Sequence, residues 1–100
     1  PISAASELEG ERPGLLFVGA ERCVHCRKLW QLLAHEKLSQ RIAQFETRYL
    51  DADLHQELAS DLGVRGLPTL LLITSGQPIS RAPTQYSVES LLNWLNSVSL

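Results

Sequence analysis

The chain contains no methionine and opens on Pro1. It is therefore expected to be a processed or excised piece, one that processing could have stripped of a leader or membrane anchor. No apolar run approaches the ~18 residues of a membrane span, so no membrane insertion by this segment is expected. A basic excess is also missing. Nine Lys and Arg against eleven Asp and Glu leave a net charge of −2, which argues against nucleic acid or an anionic membrane as a partner. Internal repeats, low-complexity tracts and linkers are absent, so the 100 residues are read as one domain with a single core. A hydrophobic share of 44% beside 20% charged residues fits a soluble globular protein. Cysteine is scarce, with two residues in one C-x-x-C, a pair at home in the cytosol and outside it.

That pair organises the chain. It lies in Glu21-Arg22-Cys23-Val24-His25-Cys26-Arg27-Lys28, after the apolar run Leu15-Leu16-Phe17-Val18 and before Cys26, Leu29, Trp30 and Leu33 at helical spacing. Unpaired N–H groups at a helix start, with the macrodipole, favour a thiolate over a thiol. Cys23 is thus the expected nucleophile, and Cys26, one turn in, the partner that closes a disulfide on it. An inert structural pair and a metal-binding pair are the alternatives. Zinc normally takes four ligands, and His25, His35 and His55, the readiest additions, sit in no recognised ligand spacing. No metal and no cofactor is therefore expected.

In chain order, residues 1–13 form an N-terminal arm with a helical turn around Ser3 to Leu8, and 14–100 form the domain. Leu15 to Gly19 reads as a strand buried on both faces. A helix is expected from about Cys23 to Leu38, with Arg27, Lys28, Gln31 and His35 facing water. Ile42 and Phe45 anchor a short turn, and a second strand covers Thr47 to Leu50. Asp53 with Gln56 forms a capping-box pattern opening a helix that buries Leu54, Leu58 and Leu62. Gly63 stands where a left-handed C-terminal residue belongs. Leu70 to Ile73 is a central strand. The turn Ser75-Gly76-Gln77-Pro78 leads to a weaker strand, Ile79 to Ala82. Ser87 caps the last helix, Tyr86 is placed to staple against Leu91, and the apolar stripe is Val88, Leu91, Leu92, Leu95 and Val98. Trp30 and Trp94 are expected in the core or half-buried, and His35 and His55 at the surface. The class is α/β, in the order β-α-β-α-β-β-α. Two strand–helix–strand units imply parallel pairing, and the turn at 75–78 an antiparallel hairpin.

This order, with C-x-x-C at the first strand–helix junction, resembles the thioredoxin family. A second match is Gly63-Val64-Arg65-Gly66-Leu67-Pro68-Thr69, similar to the family's cis-proline loop, and the closing segment around Ser87 to Leu95 is a third. The resemblance covers roughly residues 14–98. It implies a thioredoxin-like four-stranded mixed sheet with helices on both faces. The implied activity is that of a thiol–disulfide oxidoreductase with Cys23 and Cys26 as its redox-active disulfide. It further implies a cis Pro68 facing the disulfide, a Leu67 backbone open to an extended substrate, and a contact surface of Val24, Gly66, Leu67 and Pro68. Partners would be protein thiols or disulfides and a redox partner protein, met by a monomer.

His25, just before the second cysteine, resembles protein disulfide isomerase and oxidising family members, where the histidine helps stabilise the thiolate. With the missing methionine it favours an extracytoplasmic, periplasmic setting over the cytoplasm. Three features depart from the pattern. Arg22 replaces the usual aromatic residue and adds a cation near Cys23. Phe17 stands where an acid often helps move the proton of the second cysteine. Thirteen N-terminal residues are too few for the usual opening strand and helix, so this is a minimal version of the fold. The rival functions are a redox-inactive binding or chaperone-like module and a metal- or iron–sulfur-carrying domain.

Overall fold

The computed structural model describes residues 1–97, so the stripe residue Val98 lies outside the described residues. After a 3-10 turn at Ala5–Leu8 come β1 (Gly14–Gly19), α1 (Val24–Leu33), α2 (Glu36–Ile42) and β2 (Glu46–Asp51). Then follow α3 (Gln56–Asp61), β3 (Thr69–Thr74), β4 (Gln77–Arg81) and α4 (Val88–Ser97). The strands form one sheet in the order β2-β1-β3-β4. Among the described residues no helix is long and apolar enough to cross a membrane.

Every residue of β1 is buried, as a nearly continuous apolar run demands when both faces are covered. Leu15 and Phe17 face a core with Leu29, Leu38, Leu91, Trp94 and Leu95, contributed by α1, α2 and α4, and with Phe45 from the turn before β2. Leu16 and Val18 face the opposite core with Leu50, Leu71 and Ala59 of α3. Ile2 and Leu8 join this second core at 5% and 3% exposure, so the N-terminal arm covers the sheet face that α3 is too short to cover alone.

One expected pairing is corrected. β1 and β2 are parallel, but β3 runs antiparallel to β1 instead of completing a second parallel unit. A parallel crossover must return the chain along the full strand, about 20 Å for six residues. The six-residue α3 advances only about 9 Å. The chain leaves β2 and enters β3 at the same end of the sheet, since Gly19 pairs with Asp51 and Val18 with Thr69.

The single helix expected over 23–38 is two. α1 ends at Leu33 with Ala34 as its C-cap, and His35 leaves helical geometry at φ −56°, ψ 136°, its Nδ1 accepting the Lys37 N–H at 3.2 Å. His35 is thus a surface cap. The break lets α2 lean onto α4, where Arg41 donates to Asn96 Oδ1 at 2.9 Å and stacks 5.0 Å above the Phe45 ring. Asp53 does not cap α3 either. His55 occupies that position, Asp51 Oδ1 accepts the N–H groups of Asp53 and Leu54, and Leu54 is 75% exposed. Ser87 caps α4 by accepting the Ser90 N–H at 3.0 Å. Tyr86 packs on the core, and its hydroxyl donates to the Pro68 carbonyl oxygen at 3.2 Å.

Ser75 and Gly76 both take positive φ, 53° and 77°, as a two-residue hairpin turn requires, so β4 begins two residues earlier than expected. Its register shifts between Leu72 and Ile73, which pair with Ser80 and Pro78, and Ile79 is the extra bulged residue. Trp94 is buried, its indole N–H donating to Ser80 Oγ at 2.9 Å, whereas Trp30 departs from the expected core placement and is 59% exposed.

Candidate active site

The ends of three strands converge on one rim of the sheet. β1 releases the cysteine loop after Gly19, β2 releases the Asp51–Asp53 loop beside it, and the Gly63–Pro68 loop enters β3 opposite Val18. The Ala52 N–H donates to the Gly19 carbonyl at 2.8 Å, locking the first two together.

Cys23 is the N-cap of α1, in extended geometry at φ −88°, ψ 107°. Its Sγ is bonded to that of Cys26, with the Cα atoms 5.2 Å apart. The Cys26 N–H points at Cys23 Sγ from 3.1 Å, so a helix-start amide that normally seeks a capping oxygen has a sulfur acceptor here. Cys23 is half-buried and Cys26 only 5% exposed. Cys26 and Leu29 are the inward anchors of α1, a spacing that fixes the helix on the sheet and the buried sulfur against Phe17.

Gly19 makes this approach possible. A Cβ there would lie 2.8 Å from Phe17 Cε1 and 3.2 Å from Cys26 Sγ. Neither neighbour can withdraw freely, one being a buried ring and the other a bonded sulfur. Gly19→Ala is expected to destabilise the protein by about 1–3 kcal/mol, the usual cost of overpacking. Urea unfolding of both proteins measures it, and an unchanged midpoint would contradict the packing.

Arg22 is tied to Asp53 by a two-pronged pair, Nε and Nη2 donating to the carboxylate at 2.9 and 3.0 Å. That hydrogen bond, and then the charge of Asp53, push the guanidinium further above its ordinary value. Val24 is 59% exposed beside the cysteines, and His25 is exposed in the first turn of α1. Gly66 is exposed with open space around it, and Leu67 and Pro68 are half-buried. The Leu67–Pro68 peptide is cis. Thr69 Oγ1 donates to the Gly66 carbonyl at 2.7 Å, and Arg81 to that of Gly63 at 2.7 Å, so side chains pin the loop at both ends. Cys23 and Leu67 pack against the same core.

Three further residues stand beside the cysteines. Asp53, whose sequence pattern is that of a cap, binds Arg22 instead. Tyr49 pairs with Phe17 across the β1–β2 ladder, their rings 5.9 Å apart, and Trp30 meets Phe17 edge-on at 5.1 Å. The alternation of β2 and the apolar spacing of α1 were the available signals for the two rings. Burial first, then the charges of Asp51, Glu21 and Asp53, raise the Tyr49 phenol above its ordinary value.

The thioredoxin family profile matches residues 5–97. The chain is 30% identical to the thioredoxin of Mycobacterium tuberculosis over 95 residues, spanning 95% of this chain and 81% of that one. It is 26% identical to the thioredoxin of Rickettsia bellii over 91 residues, 90% of this chain and 85% of the other. The fold overlays on the thioredoxin structure from Fasciola hepatica with a TM-score of 0.71 at 24% identity, covering 92% of this chain and 85% of that chain. Family and bonded cysteine pair together do not favour a redox-inactive module or a cluster carrier. With its C-x-x-C closed at the start of α1, this chain belongs to the thioredoxin family and is a thiol–disulfide oxidoreductase.

Proposed function

We propose that Cys23 is the attacking sulfur and Cys26 the resolving one. The observation that carries this reading is the Cys26 N–H aimed at Cys23 Sγ from 3.1 Å, which rewards negative charge on that sulfur. The more exposed position of Cys23 supports the same order. In the reduced protein the Cys23 thiolate attacks one sulfur of a substrate disulfide, forming a mixed disulfide and expelling the other sulfur as a thiolate. Cys26, having lost its proton, attacks Cys23 Sγ and releases the second substrate sulfur. Two electrons pass to the substrate, and the Cys23–Cys26 bond is the oxidised product. The reverse sequence oxidises a dithiol.

The substrate is an extended protein segment lying between Val24 and the Gly66–Pro68 loop. Among the described residues the Leu67 main chain has no hydrogen-bond partner, which suits it to pair with such a segment. His25 and Arg22 modulate the site, Arg22 less than a free cation would, because Asp53 shares its charge.

Alkylation of the reduced protein against pH tests the assignment. The Cys23 midpoint is expected in the ~3.5–7.5 range, below the free-thiol ~8.5. A midpoint at or above ~8.5 would overturn the nucleophile assignment. The same depression has a signed consequence for stability. It favours the folded, reduced protein fully above the unfolded ~8.5 and is lost as pH falls through the folded value. The reduced form should therefore gain on the oxidised form between acid pH and ~8.5, as suits an oxidant or isomerase in an extracytoplasmic setting.

A further inference from the structure

Resolution of the mixed disulfide needs a base. Cys26 is 5% exposed, and burial in apolar surroundings favours its thiol over its thiolate. The strand beneath it supplies no acid, since Phe17 occupies the floor. A solvent-open cleft of about 530 Å³ nevertheless has Cys26 in its lining. Its lining includes Phe17, Glu21, Cys26, Arg27, Trp30 and Tyr49.

We propose that Glu21, acting through water in this cleft, takes the proton of Cys26 as it attacks Cys23, and returns it in the reverse reaction. The inference rests on Cys26 being the resolving thiol. The other polar groups in the lining are unsuited to accept a proton near neutrality. Arg27 and the Trp30 indole are donors only. The Tyr49 phenol is held protonated by burial and by the neighbouring negative charges of Asp51, Glu21 and Asp53. From α1, Arg27 donates to the Glu21 carbonyl at 3.1 Å, fixing the loop that presents the carboxylate. Arg22, the remaining cation of that loop, is turned to Asp53. The cleft is roomy enough for water and offers it polar partners on two sides. In the balanced step the Cys26 S–H bond breaks and its proton passes through water to the Glu21 carboxylate. The Cys26–Cys23 S–S bond forms, and the substrate sulfur leaves as a thiolate that recovers a proton from solvent.

The test follows resolution of the glutathione mixed disulfide at Cys23, formed with glutathione disulfide and read by acid quench and mass, in wild type, Glu21→Gln, Glu21→Asp and Tyr49→Phe. Glu21→Gln should slow resolution about a hundredfold between pH 6 and 7, the low end of general-base effects. The gap should close above ~8.5, where hydroxide removes the thiol proton unaided. Glu21→Asp should recover part of the rate and Tyr49→Phe should leave it unchanged, with the Cys23 alkylation midpoint unmoved in all. Equal resolution in wild type and Glu21→Gln, or slowing independent of pH, overturns the role of Glu21 and leaves the cysteine roles standing. Failure of any adduct to form at Cys23 overturns both.

Discussion

Cys26→Ser protein mixed with a disulfide-bonded protein substrate will accumulate a covalent adduct at Cys23, while Cys23→Ser will accumulate none. The asymmetry follows from where α1 puts the two sulfurs. Cys23, at the N-cap, is reachable and has the Cys26 amide behind it. Cys26 sits one turn in, against Phe17, beyond the reach of a bulky substrate. Removing the resolving sulfur leaves the first attack intact and blocks the second, so net turnover falls to background in both variants and only one of them traps. Non-reducing electrophoresis and mass mapping of the linked peptide distinguish the two. Equal trapping by both variants would mean that either sulfur can lead, and the assigned order would fall.

Leu29→Ala should cost about 2–5 kcal/mol, the range for truncating a buried leucine. Leu29 is 2% exposed and, with Cys26, makes the inward face of α1. Domains of this size are stable by about 5–15 kcal/mol, so the loss is a large fraction of the total. At about 4–8 °C per kcal/mol the melting temperature should fall by more than about 8 °C. Leu32→Ala, one turn along at a half-buried position, should cost less. Denaturant curves with matching m-values measure both. A Leu29→Ala loss no greater than that of Leu32→Ala would show that α1 is held otherwise.

Which elements the sequence announces depends on how local their causes are. β1 was legible because both its faces are covered, which leaves an apolar run with no alternation to blur it. The cysteine spacing and the left-handed Gly63, at φ 80°, are equally local. The break between α1 and α2 was not legible, because Leu38 continues the apolar spacing and histidine is a rare cap. Asp53 misled for a related reason. Its capping pattern is generic, and its actual partner, Arg22, stands 31 residues earlier. The direction of β3 depends on which rim the chain re-enters, something that no window of residues encodes. In the site, the sulfurs and the loop at Pro68 could be read off the chain. The cleft joining Glu21, Trp30 and Tyr49 to Cys26 exists only once β2 lies beside β1 and α1 above them.

The bulge at Ile79 also governs what the molecule refuses. A sheet with two border strands invites another copy to add a strand wherever a border is left uncovered, and on β2 the arm already takes the Tyr49 carbonyl through the Ile2 N–H at 2.8 Å. On the β4 border Pro78 offers no N–H, and the bulge throws the ladder out of step just where a newcomer would have to bond. On the β2 border Arg48 and Glu46 form an ion pair at 2.6 Å, with Arg12 nearby at 3.8 Å, so an incoming backbone would have to strip charges of their water. Both borders thus resist the strand addition by which exposed sheets recruit further chains.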